Sequence, residues 1–261
     1  MKKISSILFI GLVLAACTGK GISDGDSSVN VPAISLPTNT STADMVGLIV
    51  YNGKIYTETN VEIRAEDAKA LRDDILGITT GTIDEWSKQK EYDKELASTV
   101  GEMDVYSVKG YDRDFRIMTY EEQDGIAYAR FYEHLNGITV RSGEDIFGKL
   151  QLVGNVVSAR WRTFSERERD MDRYHEIADT ATVNTFVEEL NNTKPLARER
   201  QSDPLNTSRN DEEFRELSLQ LADGSFVTLS LLKDGYIYYS MTDVYFEMNQ
   251  RTFSELWNQL K

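Results

Sequence analysis

The sequence predicts an α+β fold of antiparallel sheets with helices packed on one face, arranged as two small modules. Runs of alternating apolar and polar residues, rich in Val, Ile, Tyr and Thr, recur along the chain and indicate strands. Asn-Gly and Asp-Gly pairs separate several of these runs and favour the tight turns of antiparallel hairpins. Helical spacing occurs in only a few segments, without the regular strand–helix alternation of parallel α/β folds.

The start of the chain has the pattern of a secretory signal. Lys2 and Lys3 provide a positive charge, and residues 4–14 form a mostly apolar stretch. This stretch is too short to cross a bilayer as a helix, which needs about 20 apolar residues. The tetrapeptide Leu-Ala-Ala-Cys follows at residues 14–17 and ends at Cys17, the single cysteine of the chain.

This tetrapeptide resembles the lipobox of bacterial lipoproteins, and the chain is similar to uncharacterised Gram-positive extracytoplasmic lipoproteins. The resemblance implies that residues 1–16 are a signal peptide that is removed, and that the Cys17 thiol carries a diacylglyceryl group. Two acyl chains supply the two hydrophobic signals that stable anchoring requires. The expected location is therefore the cell membrane, facing outside the cytoplasm. A plain signal peptide with an incidental cysteine, or an uncleaved anchor, is the alternative.

Composition limits the classes of partner and the means of stabilisation. The formal net charge is −14, and this argues against nucleic acid as a partner because nucleic-acid binding needs a basic surface. Lipid on Cys17 leaves no thiol for a disulfide within the chain. A core can form without one, since a domain of roughly 150 residues buries about 70% of its unfolded surface.

The first predicted segments are a linker and a hairpin. Residues 17–43 are rich in Ser, Thr, Gly, Asn and Pro, a composition typical of a flexible linker. The first folded module is assigned to residues 44–165. It begins with a hairpin that turns at Asn52-Gly53. A helix is expected next, over residues 64–77, because its apolar residues recur at helical spacing.

The rest of the first module is predicted to be mainly strand. Strands are expected at residues 103–111, 115–125, 126–135 and 155–166, where apolar and polar residues alternate. Residues 143–150 are expected to form a short helix. The densely charged residues 165–181 are expected to be exposed and to mark the boundary between the modules.

The second module, residues 175–261, is predicted to have the order α-β-β-β-β-α. Its first helix covers residues 182–191, and Asp179 or Thr180 is the candidate N-cap. A loop is expected at residues 193–211, marked by Pro195 and Pro204. Four strands then follow, the first three joined by Asp-Gly turns, and a helix over residues 250–260 ends the chain.

The sequence identifies no catalytic, cofactor-binding or metal-binding residues. The two histidines, His134 and His175, are far apart and lie in none of the spacings typical of metal or catalytic sites. Nucleophile motifs and phosphate-binding glycine loops are absent from the sequence. The 43 acidic residues are too many for spacing to single out a carboxylate pair. The protein is therefore not expected to be an enzyme.

Residues 108–117 contain the candidate interaction loop. This segment is similar to a hairpin of Gram-positive extracytoplasmic lipoproteins. One interpretation is a plain strand–turn–strand in which Gly110 supplies backbone freedom. The other is an exposed loop that presents Tyr111, Asp112 and Arg113 to a partner, because Tyr and Arg are enriched at interface hot spots.

The leading functional prediction is a membrane-anchored extracytoplasmic lipoprotein that acts as a non-catalytic binding or protein-interaction module. The expected partners are the membrane, through lipid on Cys17, and an envelope protein. Two alternatives stay open: a small-ligand or metal sensor, and a carboxylate-dependent hydrolase of an envelope component. A deep pocket with converging acids would favour the hydrolase, and a flat apolar face would favour the interaction module.

Overall fold

The computed structural model describes residues 28–34, 46–84, 86–124, 126–169, 173–199, 201–240 and 242–261. Within these ranges the chain consists mostly of antiparallel sheets, with short helices around them. The prediction of a sheet-rich fold with some helices is therefore confirmed. The predicted signal peptide, Cys17 and most of the predicted linker lie outside the described residues.

Sixteen strands occur in the described part of the chain. They are β1 Val29–Asn30, β2 Leu48–Tyr51, β3 Lys54–Glu58, β4 Glu62–Ile63, β5 Arg72–Ile78, β6 Asp104–Val108, β7 Arg116–Gln123, β8 Ile126–Glu133, β9 Thr139–Val140, β10 Val156–Thr163, β11 His175–Glu176, β12 Lys194–Ala197, β13 Phe214–Leu221, β14 Ser225–Leu232, β15 Tyr236–Tyr239 and β16 Val244–Glu247. The strands predicted at residues 103–111, 115–125, 126–135 and 155–166 are all present, so alternation identified them correctly.

The helices in the same described ranges are short. They are α1 Ala65–Leu71, α2 Phe164–Glu168, α3 Thr180–Leu190, α4 Pro204–Thr207 and α5 Gln250–Trp257. The segment expected to be a short helix contains only the 3-10 turn Gly143–Asp145. Among the residues described, no helix combines the length and the apolar character needed to cross a membrane.

Two large sheets and one small pair organise the chain. The first sheet has six strands in the order β2-β3-β8-β7-β6-β5. The second has eight strands, in the order β11-β10-β13-β14-β15-β16-β12, with β4 paired to β14. Strands β1 and β9 form a separate two-stranded pair. All of these pairings are antiparallel, as the hairpin turns in the sequence predicted.

The hairpin at Asn52-Gly53 is confirmed. Strands β2 and β3 pair up to Tyr51 and Lys54, which leaves a two-residue turn. Both turn residues have positive φ, 51° for Asn52 and 67° for Gly53. A two-residue hairpin with positive φ at both positions matches the right-handed twist of the strands it joins, which explains the preference for Asn-Gly.

The helix predicted over residues 64–77 is wrong in its second half. Helix α1 ends at Leu71, and the chain continues as strand β5 along β6. Pairing with β6 satisfies the backbone of this segment, and it leaves Ile75 61% exposed although its spacing suited a helix. Gly77 has a φ of 146°, which no α-helix contains.

A strand occurs where a loop was expected. Strand β12 lies in residues 193–211 and pairs with β16 at the end of the second sheet. Pro195 is part of this strand, and proline is tolerated there because an edge strand has one row of N–H groups outside the ladder. The proline that suggested a loop is thus compatible with an edge strand.

The predicted module boundary does not coincide with the boundary between the sheets. Strand β10 was assigned to the first module, but it pairs with β13 of the second sheet, with Trp161 opposite Leu217. Strand β4 also joins the second sheet, through Ile63 and Ser225. Ala159 and Trp161 are buried by this pairing, which accounts for the alternation seen in the sequence.

Part of the predicted linker is attached to the folded protein. Strand β1 pairs with β9, so that Val29 lies opposite Val140. Val31 is buried, and its backbone N–H donates to the carbonyl of Ile138 at 2.9 Å. The prediction of a free linker over residues 17–43 therefore needs correction at residues 29–31.

The two large sheets share one apolar core. Its buried members include Met118 and Phe131 from the first sheet and Leu217 and Leu229 from the second. Helices α3 and α5 add apolar side chains to the same cluster; they are Val183, Phe186, Phe253 and Leu256. The helix α3 predicted at residues 182–191 is confirmed, and Asp179 caps it by accepting from the N–H of Thr182 at 3.1 Å.

A buried ionic network connects the sheets. Arg116 on β7 and Glu133 on β8 are fully buried, and Arg116 Nε donates to Glu133 Oε1 at 2.9 Å. The Tyr239 hydroxyl, on β15 of the second sheet, donates to Glu133 Oε2 at 2.8 Å. One carboxylate therefore accepts hydrogen bonds from both sheets.

The protonation states of this network follow from its surroundings. Burial alone would lower the pKa of Arg116, but the Glu133 carboxylate outweighs it and raises that pKa. Burial, reinforced by the same carboxylate, raises the pKa of Tyr239 well above its ordinary value. The guanidinium therefore stays charged, and the Tyr239 hydroxyl keeps the proton that it donates.

We expect Glu133→Gln to lower the free energy of unfolding by about 3–5 kcal/mol, because it leaves the Arg116 charge buried without a counter-charge. Tyr239→Phe should cost about 1–3 kcal/mol through the loss of one hydrogen bond to a charged group. Urea unfolding of the full chain measures both. The matched control is Tyr236→Phe on the same strand, because the Tyr236 hydroxyl has no hydrogen-bond partner among the described residues. Equal losses for Tyr239→Phe and Tyr236→Phe would contradict this account.

The hairpin turn provides a second test of the fold. Gly53→Ala should destabilise the protein by about 1 kcal/mol, because alanine disfavours positive φ. A Cβ at position 53 would meet no atom within 4 Å, so backbone conformation alone is tested. Gly101→Ala is the control: its surroundings are equally open, and its φ lies outside the left-handed region. Thermal unfolding should separate the two variants, and the expectation fails if both behave alike.

Candidate functional site

A groove lies on the side of the second sheet that faces away from the shared core. Strand β14 alternates along its length: Val227, Leu229 and Leu231 are buried, while Thr228 and Ser230 are half-buried. Two-residue periodicity places these two hydroxyls on the other face of the sheet. They form part of the floor of a cavity of about 470 Å³, which we call the first cavity.

Arginines dominate the walls of the first cavity. Arg167 comes from α2, and Arg198 and Arg209 come from the segment between β12 and β13. Tyr238 of β15 and the exposed Asn60, which lies between β3 and β4, complete the polar part of the lining. The sheet thus supplies hydroxyl groups, and the connecting segments supply positive charge.

A second cavity of about 440 Å³ adjoins the first. Asn60, Glu216 and Thr228 line both cavities, so the two form one continuous groove. At its far end the groove reaches Arg130 of the first sheet and Tyr174 next to the second sheet. Both large sheets therefore contribute to its walls, and their relative position determines its shape.

Arg198 is held rigidly in the wall. Its Nε donates to Asp203 Oδ2 at 2.7 Å, and its Nη1 donates to the Tyr238 hydroxyl at 3.1 Å. Asp203 in turn caps α4 by accepting from the N–H of Leu205 at 3.0 Å. Burial alone would raise the pKa of Asp203, but hydrogen bonds from Tyr245 and Arg198 outweigh it and hold the pKa below its usual range. Arg198 is therefore a fixed guanidinium whose charge is balanced by the Asp203 carboxylate.

Arg167 and Arg209 keep unused hydrogen-bond donors. The Arg167 guanidinium lies 4.6 Å from the centre of the Phe214 ring and pairs with the neighbouring Glu168 at 2.7 Å. Arg209 is exposed and has no hydrogen-bond or ion-pair partner in the described part of the chain. An arginine carries five N–H donors, so both side chains can bind a further acceptor.

The negative charge of the glutamate that lines both cavities is balanced by an arginine on a neighbouring strand. Glu216 is buried, and it accepts a hydrogen bond from Arg162 on the adjacent strand β10. The Arg162 guanidinium also lies 4.8 Å from the centre of the Tyr174 ring. Because Glu216 is paired, it does not cancel the positive charge at the arginine end.

The candidate interaction loop lies elsewhere, and its tyrosine has an internal role. The Tyr111 hydroxyl donates to Asp223 Oδ2 at 2.9 Å, and its ring lies 4.4 Å from the Arg116 guanidinium. Burial raises the pKa of Tyr111 to about 12, so the hydroxyl stays protonated. Tyr111 therefore connects the loop to the second sheet.

The other two loop residues are exposed. The Asp112 carboxylate accepts the N–H of Asp114 at 2.8 Å, which stabilises the turn. The carbonyl of Arg113 accepts from the Tyr56 hydroxyl at 2.9 Å. Neither side chain lines the groove. Presentation of Asp112 and Arg113 to a partner stays a prediction.

The two histidines make separate local contacts. His134 Nδ1 donates to the carbonyl of Ile55 at 3.0 Å. His175 Nε2 donates to Glu166 Oε1 at 3.1 Å, and its ring stacks on Trp161 with 4.6 Å between centres. In the described ranges, no group of three or more His, Cys, Asp or Glu residues is arranged to hold a metal ion.

A third cavity, of about 520 Å³, lies beside the first sheet. The Arg72 guanidinium is held there between the rings of Tyr106 and Tyr120, at 5.2 and 4.1 Å from their centres. Four acidic residues also line this cavity: Glu102, Asp104, Glu121 and Glu122. Acidic residues therefore predominate among the charged residues that line the third cavity, whereas arginines predominate in the first cavity.

No protein-family model, curated protein or solved structure matches this chain. The resemblance of residues 14–17 to a lipobox, and the similarity of residues 108–117 to a lipoprotein hairpin, stay predictions.

Sequence patterns did not single out the groove. Arg167 belongs to the stretch interpreted as an exposed charged segment, and Arg198 and Arg209 belong to the expected loop. The available signal was the alternation on β14, where Thr228 and Ser230 interrupt an apolar strand on one side. That pattern indicates a polar sheet face, but it does not indicate which distant residues border it.

The pKa of His134 gives a pH-dependent expectation. Burial lowers this pKa in the folded protein, below the value of about 6.5 expected in the unfolded chain. The unfolded chain therefore takes up the proton first as pH falls, and His134 should make the protein less stable below about pH 6.5. Above that pH the residue is neutral in both states and makes no such contribution.

His134→Asn should remove this part of the pH dependence, since an asparagine amide can still donate to the Ile55 carbonyl but does not titrate. Urea unfolding between about pH 5 and pH 8 compares the two proteins across the unfolded pKa. The difference in stability between wild type and variant should shrink or reverse as pH falls. A difference that is constant over this range would contradict the assignment.

Proposed function

We propose that the protein is a membrane-anchored extracytoplasmic lipoprotein whose folded part acts as a non-catalytic binding module. The observation that carries the proposal is the groove, which combines hydroxyl groups on β14 with arginines from the surrounding segments. Small-ligand sites are concave and contain a few converging polar groups. A groove bordered by two sheets with a common core has this character.

The anchoring part of the proposal rests on the first seventeen residues. A positive start, a short apolar stretch and Leu-Ala-Ala-Cys support lipid attachment at Cys17. An envelope protein is the proposed macromolecular partner. Nucleic acid is not proposed, because the net charge of −14 would repel it.

The non-catalytic part is supported by the pairing of the buried acid that lines both cavities. Glu216 accepts from Arg162. A carboxylate that serves as a general base has to reach the substrate proton, and Glu216 already accepts a bond from an arginine. The groups with unused donors are guanidinium groups, which bind and orient anions.

Among the alternatives, the groove favours a small-ligand sensor. Its first cavity, about 470 Å³, falls within the usual range of about 300–1,000 Å³ for small-molecule sites. A sensor and a binding module share the same first step, which is occupation of the groove. They differ in whether occupation changes contact with another protein.

The two-module arrangement is also a proposal. The first sheet takes its strands from residues 48–133, and all but β4 of the second sheet comes from residues 156–247. This distribution supports two sheet-forming halves that fold against each other. Helices α3 and α5 pack together and against the shared apolar core, which supports helices on one face of the second sheet.

The anchoring proposal is tested with Cys17→Ala in the native host. We expect the wild-type chain in the membrane fraction and the variant in the soluble extracytoplasmic fraction, because two acyl chains are lost. Fractionation with antibody detection measures this. Membrane association equal to wild type would contradict lipid attachment at Cys17.

The binding proposal is tested by in-cell cross-linking of the lipidated chain. We expect one envelope protein to be recovered near stoichiometry, and Asn60→Trp to abolish recovery because the exposed Asn60 borders both cavities. Val157→Trp is the matched control, since Val157 is also exposed and lines neither cavity. Undiminished recovery with Asn60→Trp, or no recovery above background with wild type, would refute binding of a partner through the groove.

A further inference from the structure

We propose that the groove binds a polar ligand through an oxyanion, a carboxylate or a phosphate, seated between the guanidinium groups of Arg167 and Arg209. This inference rests on the proposed function and names the ligand chemistry of the same groove. Three features that lie together in the first cavity support it. They are two arginines with unused hydrogen-bond donors, a third arginine that is held rigidly, and a floor that carries hydroxyl groups.

The first argument is the local charge. The chain as a whole has 43 acidic and 29 basic residues, so its average surface repels anions. The first cavity reverses this balance, because three arginines and two glutamates line it. One of those glutamates, Glu216, is paired with Arg162, which is not part of the lining. Arg198 is paired with Asp203, and Arg167 with Glu168, so Arg209 supplies the positive charge that is left over in the cavity of an acidic protein.

The second argument is the availability of donors. Arg209 has no partner among the described residues, and Arg167 uses a single ion pair with Glu168, an exposed side chain. An exposed ion pair contributes little, about 0–1 kcal/mol, so a ligand can compete with Glu168. Guanidinium groups bind carboxylate and phosphate oxygens with two parallel hydrogen bonds, which makes arginine suited to this chemistry.

The third argument is the rigidity of the surroundings. Arg167 lies over the ring of the buried Phe214, at 4.6 Å, and near the ring of Phe164, at 5.1 Å. These rings restrict the guanidinium before a ligand arrives. Arg198 is held by its ion pair with Asp203 and forms a fixed part of the wall. Such preorganisation reduces the entropy lost on binding.

The fourth argument concerns the remainder of the ligand. The floor beyond the arginines is built from the hydroxyls of Thr228 and Ser230 and the amide of Asn60. Each of these groups both donates and accepts hydrogen bonds. They suit a ligand body that carries hydroxyl or amide groups.

The test is calorimetric titration of the purified full chain in detergent micelles, in about 150 mM NaCl so that long-range attraction is screened. The probes are glucuronate, glucose 6-phosphate and glucose, which share a polyhydroxyl body and differ in carrying a carboxylate, a phosphate or no charge. Comparison of the first two distinguishes the two sources of the oxyanion. The variants are Arg167→Gln and Arg209→Gln.

We expect at least one anionic probe to bind about tenfold more tightly than glucose, and each variant to weaken that probe about tenfold. Arg169→Gln is the matched control, because Arg169 is exposed next to α2 and lines neither cavity. Its affinity should equal that of the wild type.

Three results would overturn the proposal: glucose binding as tightly as the anions, anion binding unchanged in both variants, or no binding of either anion up to about 50 mM. None of these would decide the proposed function. That depends on whether Asn60→Trp abolishes cross-linking, so the two failures are distinguishable.

Discussion

The ion pair between Arg116 and Glu133, with the Tyr239 hydroxyl, is the interaction on which the arrangement of the two large sheets depends. Both charges are fully buried, and removing them from water costs several kcal/mol per ion. Their attraction offsets this cost only when the geometry is good and the remaining oxygens are satisfied. The Tyr239 hydroxyl, on the second sheet, donates a hydrogen bond to the second carboxylate oxygen of Glu133. All of these hydrogen bonds can therefore form only when the sheets lie in this position.

Aromatic rings surround the part of the network that lacks hydrogen bonds. Arg116 Nη1 is buried without a hydrogen-bond partner, and the guanidinium lies 4.4 Å from the centre of the Tyr111 ring. Tyr111 itself donates to Asp223, which also accepts from the N–H of Ser225 in the turn before β14. Through Tyr111, the candidate interaction loop therefore contacts both sheets. Strand β14, which begins after this turn, forms part of the floor of the groove.

The groove follows from the same arrangement. Its second cavity has Arg130 of the first sheet on one side and Thr228 of the second sheet on the other, so it exists because the sheets are held together. The arginine end is supported by a different set of contacts, centred on Asp203 and Tyr245. A binding site with independently supported walls can keep its shape while its exposed arginines remain free to contact a ligand.

Local structure in this protein follows from short stretches of the sequence. Alternating runs identified most strands of both sheets, Asn52-Gly53 identified a hairpin, and apolar spacing with an N-cap at Asp179 or Thr180 identified α3. These features depend on neighbouring residues, whose φ preferences, caps and periodicity are present in any short segment. The lipobox-like residues 14–17 are also a local signal, and they support the proposed anchor without reference to the fold.

Which segments pair depends on contacts between residues far apart along the chain. The stretch after Leu71 had helical spacing but became β5, because pairing with β6 satisfied its backbone. Strand β10 joined the second sheet, and β12 formed where Pro195 suggested a loop. Arg116 and Glu133, like the groove arginines, are ordinary charged residues in the sequence. Their roles depend on contacts with residues distant along the chain, and a local sequence pattern does not show which residues make those contacts.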